Sequence, residues 1–357
     1  MSVIFLFDPL HREPILQEVL GEPPRSVGPV TLDDIRAGAA GIAHIDAGHS
    51  VNAKAIELTT PAAYDRLTFL AAVLGAHPVP KHGKVSGQRV SGVVFVANDA
   101  QGHHVPGDIA PLAVREIMGY HGRLPAQDVS RRLPMILARA ASTLAAQSTQ
   151  TPTIRNQATQ DDVTVHSMQT THEGFFLTRT YELQHPRFDG TTSARLNREV
   201  FIATDAVIVL PYDPIRDRVL LVEQFRLGPF ARGDSYPWVL EPVAGRVDAG
   251  ETTDEAARRE CQEEAGLTLH DLEHVSSHYF SPGASTEYYH CYVALTDLPD
   301  DIAGLGGLAT EHEDIRTHVL SFETAMGLLT SGEANIGPMI LLLLWLERER
   351  ARLRASA

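Results

Sequence analysis

Residues Gly245 to Leu267 read GRVDAGETTDEAARRECQEEAGL, and this stretch constrains the fold more tightly than any other in the chain. Gly245 and Gly250 bracket a short loop. Thr252, followed three residues later by Glu255, has the form of a capping box, so a helix opens there. Ala256 and Ala257 favour helix, and Gly266 is placed to end it. On that helix Glu260, Glu263 and Glu264 stand at i, i+3 and i+4 and share one face. Three carboxylates on one face repel each other unless positive charge stands among them. Arg259, four residues before Glu263, supplies part of it. A hard divalent cation with oxygen ligands, Mg2+ or Mn2+, accounts for the rest. Mg2+ usually takes substrate phosphate oxygens at its open positions. The pattern therefore points to metal-assisted hydrolysis of a phosphoanhydride. A merely solvated acidic face needs neither the glycines nor the cap nor the spacing.

The chain has 357 residues, enough for two domains, and 43% of them are hydrophobic, so sizeable cores are available. Its net charge of −15 argues against a general nucleic-acid or membrane-surface binder. An acidic protein that handles an anionic substrate must draw positive charge from a metal and from particular arginines. The two cysteines, Cys261 and Cys291, form no disulfide framework and fit a reducing cytoplasm. No positive region precedes the first apolar run, so no signal peptide is expected. Met339 to Leu346, the longest apolar run, is too short to span a bilayer and reads as a buried helix.

The stretch from Ala146 to Asp162 is polar and rich in Thr and Gln, and it reads as a linker. It divides the chain into residues 1–145, a linker at 146–162 and residues 163–357. Before it, Val129 to Ala146 is helical in composition. After it, strands dominate. Val163–Met168 and Phe175–Leu183 read as a hairpin, followed by strands at Glu199–Leu210 and Arg218–Phe225 with a turn at Tyr212-Asp213-Pro214. Trp238–Ala244 leads into the glycine loop, and Tyr288–Leu295 is a further strand. Helices are expected from about Phe322 and from Pro338 to Arg354. Mixed strands with few helices make an α+β chain, here an α/β/α sandwich.

The segment G-x5-E-x7-R-E-U-x-E-E-x-G-U, carried by Gly245, Glu251, Arg259, Glu260, Glu263, Glu264 and Gly266, resembles the box of the Nudix hydrolases. Cys261 stands where an aliphatic residue is usual, and cysteine packs as a small hydrophobe. The resemblance implies a Nudix α/β/α sandwich with a mixed sheet. It implies metal ligation by Glu260, Glu264 and Glu263, with the Ala244 carbonyl as a further ligand and Arg259 and Glu251 in support. Gly174 to Glu287 resembles the ADP-ribose pyrophosphatase branch of the family. The matching pieces are GFF at Gly174, RFDG at Arg187, REVF at Arg198, the run from Leu210 to Arg226, PWVLEPVAG at Pro237 and SPGASTE at Ser281. In that branch a proline in the place of Pro282 marks ADP-ribose hydrolysis. The acidic loop Glu311-His312-Glu313-Asp314 is similar to the loop that supplies the base. The resemblance gives Glu311 the water and Glu313 a reach to metal.

Arg226 offers a fork of donors for phosphate or ribose oxygens. Phe175 is the candidate to stack on adenine, Arg198 is placed similarly, and Glu287 is assigned to the terminal ribose by resemblance. Related enzymes are homodimers that exchange N-terminal strands, so Phe175 and Arg198 are expected from a partner subunit. The implied activity is Mg2+-dependent cleavage of ADP-ribose to AMP and ribose 5-phosphate. The alternatives are a broader nucleoside-diphosphate-sugar or dinucleotide pyrophosphatase, and an ADP-ribose sensor with little turnover.

Residues 1–145 open with the apolar strand Val3–Leu6 and resemble a γ-glutamylcyclotransferase-like domain, a mixed α/β barrel-like fold. Its Tyr-Gly-Ser/Thr-Leu turn is here Phe7-Asp8-Pro9-Leu10, and proline offers no N–H to a substrate carboxylate. The helix from Pro61 to Gly75 reads YDRLTFLAAVLG where the family carries a catalytic glutamate, so the resemblance implies a domain without cyclotransferase chemistry. His121, beside Tyr120 and Arg123, reads as a satisfied histidine at a helix end. His103-His104 lacks metal-ligand spacing. Chains that join such a half to this Nudix branch resemble bacterial proteins associated with tellurite resistance, which names a phenotype and no mechanism.

Overall fold

The computed structural model describes residues 2–8, 10–37, 43–97, 105–147, 152–308 and 313–356. It divides into two compact units, Met1–Gln150 with Asp248–Gly250, and Thr151–Val247 with Glu251–Ala357.

The first unit is built on β1 (Ser2–Leu6), α1 (Glu13–Leu20), β2 (Arg25–Ala37), β3 (Ala43–Leu58), α2 (Pro61–Val73), β4 (Ala76–Val85) and β5 (Gln88–Ala97). It continues with α3 (Ala110–Met118), α4 (Ala126–Arg131) and α5 (Leu133–Ala146). The strands close into a barrel in the order β1-β3-β2-β4-β5. Side chains alternate across each strand. Phe5, Phe7, Leu32, Ala55, Val94 and Val96 therefore pack into one core. Ile4, Leu6, Ile56, Leu58 and Phe95 pack into another with the helices. Pro61 opens α2 behind Thr60, whose side chain accepts the Ala63 N–H. His121 is satisfied: its Nε2 lies 2.9 Å from an Asp65 oxygen, and its ring meets the edge of Phe69. The barrel-like mixed α/β expectation is met. The kinship with γ-glutamylcyclotransferases rests on the sequence resemblance.

The second unit begins with a 3-10 turn at Gln160–Asp162, closed by a capping box on Thr159. A three-stranded sheet follows: β6 (Thr164–Glu173), β7 (Leu177–Gln184) and β8 (Leu196–Ile202). The larger sheet contains β9 (Asp205–Asp213), β10 (Arg218–Phe225), β11 (Trp238–Glu241) and β12 (Val243–Arg246). It is completed by β13 (Asp271–Tyr279), β14 (Tyr288–Leu295), β15 (Leu305–Gly306) and β16 (Ile315–Ser321). Its order is β13-β14-β9-β10-β16-β15, with β11 beside β10 and β12 beside β9. Only the β14–β9 pair runs parallel along this path, so the sheet is mixed. The helices are α6 (Leu227–Arg232), α7 (Thr253–Ala265), α8 (Phe322–Ser331) and α9 (Gly337–Ala355).

The central strand β9 supplies both faces of the sandwich. Val207 and Val209 pack with Ala256, Ala257 and Cys261 of α7. Ile208, Leu210 and Tyr212 pack with Phe322, Leu342 and Leu346 of α8 and α9. Burial of each such aliphatic side chain is worth about 1.5–3 kcal/mol. Of the run Met339–Leu346 in α9, one face is buried through Met339, Leu342, Leu343 and Leu346, while Leu344 is 50% exposed; no helix among the described residues is long and apolar enough to cross a membrane.

One expectation needs correction, and one further segment divides. Glu199–Leu210 is not one strand: β8 ends at Ile202 and β9 starts at Asp205 in a different sheet. The Thr286 hydroxyl bridges the break, accepting the Ala203 N–H at 2.9 Å and donating to the Ala203 carbonyl at 2.8 Å. Trp238–Ala244 is also two strands. Pro242 has no N–H for a ladder, and the chain changes partner there from β10 to β9.

Candidate active site

The box loop and α7 form as the sequence requires. Thr252 accepts the Glu255 N–H, Glu255 returns the bond to the Thr252 backbone, and Gly266 closes the helix at φ 65°. Arg259 organises the carboxylates. Its Nε and one terminal nitrogen hold both oxygens of Glu251 at 2.9 Å. The other terminal nitrogen donates to Glu260 at 2.7 Å and to Glu263 at 3.1 Å. A last N–H donates to the Arg246 carbonyl at 2.9 Å. A guanidinium has five N–H donors, and here each has a partner within the chain. Arg259 is thus a holder of the box.

Glu264 lies deeper, with its residue 2% exposed. Its Oε2 accepts the Ala244 N–H at 3.3 Å. Burial, then the charge of Glu260, pushes its carboxyl up to about 8. Burial likewise raises Glu260, against the pull of Arg259. Two glycines make room for this cluster. A Cβ on Gly245 would stand 1.9 Å from the Glu260 carboxyl carbon, and one on Gly306 would stand 2.0 Å from the Glu264 backbone oxygen. The second contact brings β15 against the end of α7, and Glu313 follows β15. There the Glu313 carboxylate accepts the Leu308 N–H at 3.1 Å, and its charge acts on both Glu260 and Glu264. Glu311 lies outside the described residues.

On the far side Arg226 follows β10. Its backbone N–H donates to the Pro237 carbonyl at 3.0 Å, and its Nε donates to Glu241 at 2.7 Å. Its charge acts on Glu264, Glu287 and Tyr289, which gathers these residues at one edge of the site. Glu287, raised by burial, accepts the Tyr289 hydroxyl at 3.2 Å. Pro282 is exposed in the Ser281–Glu287 loop. That loop is fastened to β8, where the Phe201 N–H donates to the Ala284 carbonyl at 2.8 Å.

Phe175 and Arg198 sit on the three-stranded sheet, Phe175 at the β6–β7 turn and Arg198 on β8 opposite Tyr181. Phe175 is 78% exposed, with its edge on Phe176, and the exposed Arg198 donates to the Asn197 carbonyl. The described contacts do not bring either one to the box glutamates. Sequence reasoning passed over Glu241, Gln224 and Tyr289, which reach the site through strand register. Glu241 was legible only as part of the PWVLEPVAG match.

The donors around Glu260, Glu263, Glu264 and Ala244 are carboxylate and carbonyl oxygens, the set a hard divalent cation takes. The glycine cradle at Gly245 keeps space for the Glu260 carboxylate, and buried, mutually repelling carboxylates favour a cation among them. These residues fit such an ion. Among the described residues no three His, Cys, Asp or Glu side chains are gathered closely enough to hold one. Arg259 holds Glu260 and Glu263, and the Ala244 N–H holds Glu264.

A helix with this acidic face, packed on a mixed sheet in an α/β/α sandwich, defines a Nudix domain, and the family model described as the NUDIX domain matches residues 203–343. The chain belongs to the Nudix hydrolase family, whose members are generally dependent on a divalent metal. More particularly, it is similar to the ADP-ribose pyrophosphatase of Escherichia coli (strain K12), 36% identical over 195 residues, which are 55% of this chain and 92% of that protein. The ADP-ribose pyrophosphatase of Haemophilus influenzae is 37% identical over 199 residues, 55% of this chain and 91% of that protein. A GDP-mannose pyrophosphatase of Escherichia coli O9:H4 (strain HS) is 31% identical over 168 residues, 47% of this chain and 85% of that protein.

Proposed function

We propose that this chain hydrolyses the diphosphate of ADP-ribose to AMP and ribose 5-phosphate, with Mg2+, or Mn2+ in its place, as the working cation. One observation carries the reading. The Glu264 carboxylate of the box feels the charge of both Glu313 and Arg226, and among the described residues the Arg226 guanidinium gives only its Nε to the chain. The relatives named ADP-ribose pyrophosphatase support the choice of substrate.

In this reading Glu260, Glu263, Glu264 and the Ala244 carbonyl hold the cation. When bound, it supplies Lewis acidity toward water and phosphoryl oxygens. Arg226 orients the diphosphate through its terminal N–H groups. A water oxygen bonds to one phosphorus, the bridging P–O bond breaks, and the water proton passes to a carboxylate base. We assign that proton to Glu311 from the sequence resemblance. Glu313 accepts the Leu308 N–H, and the sequence resemblance assigns it a reach to the metal. Arg259 takes part by holding the box. Glu287 and the loop at Pro282 meet the ribose half.

Phe175 and Arg198 serve the adenine half from the partner subunit of a homodimer that exchanges the β6–β8 sheet. The exposure of Phe175 (78%) and Phe176 (50%) supports that arrangement. Free, buried cysteines support a reducing cytoplasm as the setting.

Purified protein with Mg2+ is expected to convert ADP-ribose to equal amounts of AMP and ribose 5-phosphate, followed by chromatography. Glu264→Gln removes one ligand with little change of shape, and unreduced turnover in that variant would sink the metal site. The GDP-mannose pyrophosphatase relative favours one further reading, a broader nucleoside-diphosphate-sugar hydrolase. Intact ADP-ribose beside cleaved GDP-mannose would select it. Tight binding of ADP-ribose without single-turnover product would select a sensor.

A further inference from the structure

Arg226 and Glu241 are fifteen residues apart in sequence and are brought together by the β10–β11 ladder, in which Val222 pairs with Glu241 and Gln224 with Val239. Glu241 is the more enclosed partner: its side chain is 14% exposed, against 42% for Arg226. The Glu241 carboxylate takes the Nε edge of the guanidinium at 2.7 Å, and Gln224 bonds the same carboxylate. Two further carboxylates feel the Arg226 charge, and each has a partner of its own: Glu287 accepts the Tyr289 hydroxyl, and Glu264 accepts the Ala244 N–H. Arg226 is thus gripped by one edge. Among the described residues its two terminal nitrogens, the pair that matches a phosphate bidentately, bond no other group and are left for something else.

The position of Glu241 in the chain matters as much as its bond. Three residues later comes Ala244, whose N–H holds Glu264, and then Gly245, which makes room for Glu260. One short stretch, Glu241 to Gly245, therefore sets both the anion-binding cation and the carboxylate cluster.

We propose that Glu241 is a positioning residue: it holds Arg226 by the Nε edge so that the terminal fork faces a diphosphate seated beside Glu264. The inference rests on the reading of the site as a diphosphate hydrolase, and it concerns binding of the diphosphate, whichever sugar it carries. Glu241 touches no reacting atom and acts through Arg226 alone.

The test uses the whole chain with Mg2+ and ADP as the probe, with affinity read by calorimetry, beside kcat and KM for ADP-ribose. Hydrogen bonds to charged groups carry roughly 10- to 100-fold in affinity. Arg226→Ala and Glu241→Ala are each expected to weaken ADP by about tenfold or more. The double variant should bind no more weakly than Arg226→Ala, because one residue works through the other. Glu241→Gln, close in shape, keeps the fold and should lose severalfold in affinity. Glu241→Asp should recover part of the loss seen in Glu241→Ala. The loss should appear in KM more than in kcat. Wild-type affinity in Glu241→Ala, multiplicative losses in the double variant, or a wild-type chain that does not bind ADP would each overturn the inference. ADP binding with this pattern in a chain that leaves ADP-ribose intact would uphold it while removing the substrate assignment.

Discussion

Arg259 gives every N–H it has to the chain, whereas among the described residues Arg226 gives one edge and keeps its fork. Arg259 binds Glu260 and Glu263, and Arg226 acts on Glu264 of the same helix, so the difference is one of task. Around Arg259 the positive charge is already neutralised by Glu251, Glu260 and Glu263, and nothing remains to attract a substrate anion. Its own proton is bound more tightly because the Glu251 bond stabilises the charged form. Around Arg226 a single buried carboxylate anchors a partly exposed cation, which leaves positive charge facing outward in a protein of net charge −15. A site that binds an anion on a cluster of acids needs both kinds of arginine, one to hold the acids together and one to meet the ligand.

The largest separation between the two should come from removing Arg259. Arg259→Ala leaves Glu251, Glu260 and Glu263 facing one another without their cation. Turnover of ADP-ribose should fall by about 100-fold or more, the scale for loss of a preorganised electrostatic element. The melting temperature should fall with it, because breaking a partly buried charge network costs up to about 3–5 kcal/mol. Arg259→Lys should recover little, since one ammonium cannot serve five directions. Steady-state kinetics and thermal melts of the two variants check this. A folded, fully active Arg259→Ala protein would erase the distinction between the two arginines.

The next effect lies with Glu264, between the two. Its carboxyl is neutral more readily in the folded chain, at about 8, than at its ordinary 4.5. At pH between these values the folded chain keeps a proton that the unfolded chain has lost, so stability falls as pH rises from about 4.5 to about 8. At 1.36 kcal/mol per unit the loss is on the order of a few kcal/mol. Urea unfolding in chelator at pH 5 to 8 should show the decline, and Glu264→Gln should flatten it. Added Mg2+ should reduce it as well, because a cation favours the ionised carboxylate. Equal slopes in wild type and Glu264→Gln would mean that Glu264 is not the group responsible.

The contrast between the arginines was half legible in the sequence. Everything about the box is local: Thr252 and Glu255 cap α7, Gly266 ends it, and the i, i+3, i+4 spacing puts three glutamates on one face. Arg259 is read from the same spacing. Arg226 could be chosen as an anion binder by residue type, but its anchor could not. Glu241 reaches it through strand register, which depends on the break at Pro242 that divides β11 from β12. The separation of β8 from β9 escaped for the same reason, since an apolar run does not say which sheet each half will join. The close approach of Gly306 to α7, which brings Glu313 to the box, joins residues more than forty apart and leaves no local mark. The N-terminal barrel was legible through the resemblance of its opening strand and helix, and only as a shape.

The smallest effect sharpens the comparison most, because it asks how many partners each arginine has. Arg226→Ala leaves Glu241 as one enclosed carboxylate without its cation, and stability should fall by about 1–2 kcal/mol after the carboxyl protonates in part. Changing Glu241 to Gln in the same chain removes that charge and should return most of the loss. At Arg259 the same manoeuvre should fail. Arg259→Ala with Glu251→Gln still leaves Glu260 and Glu263 opposed and the Arg246 carbonyl without its donor. Chemical unfolding of the two pairs of variants measures the coupling directly. Rescue at both sites would make Arg259 a one-partner arginine like Arg226, and rescue at neither would mean that Arg226 is held by more than Glu241.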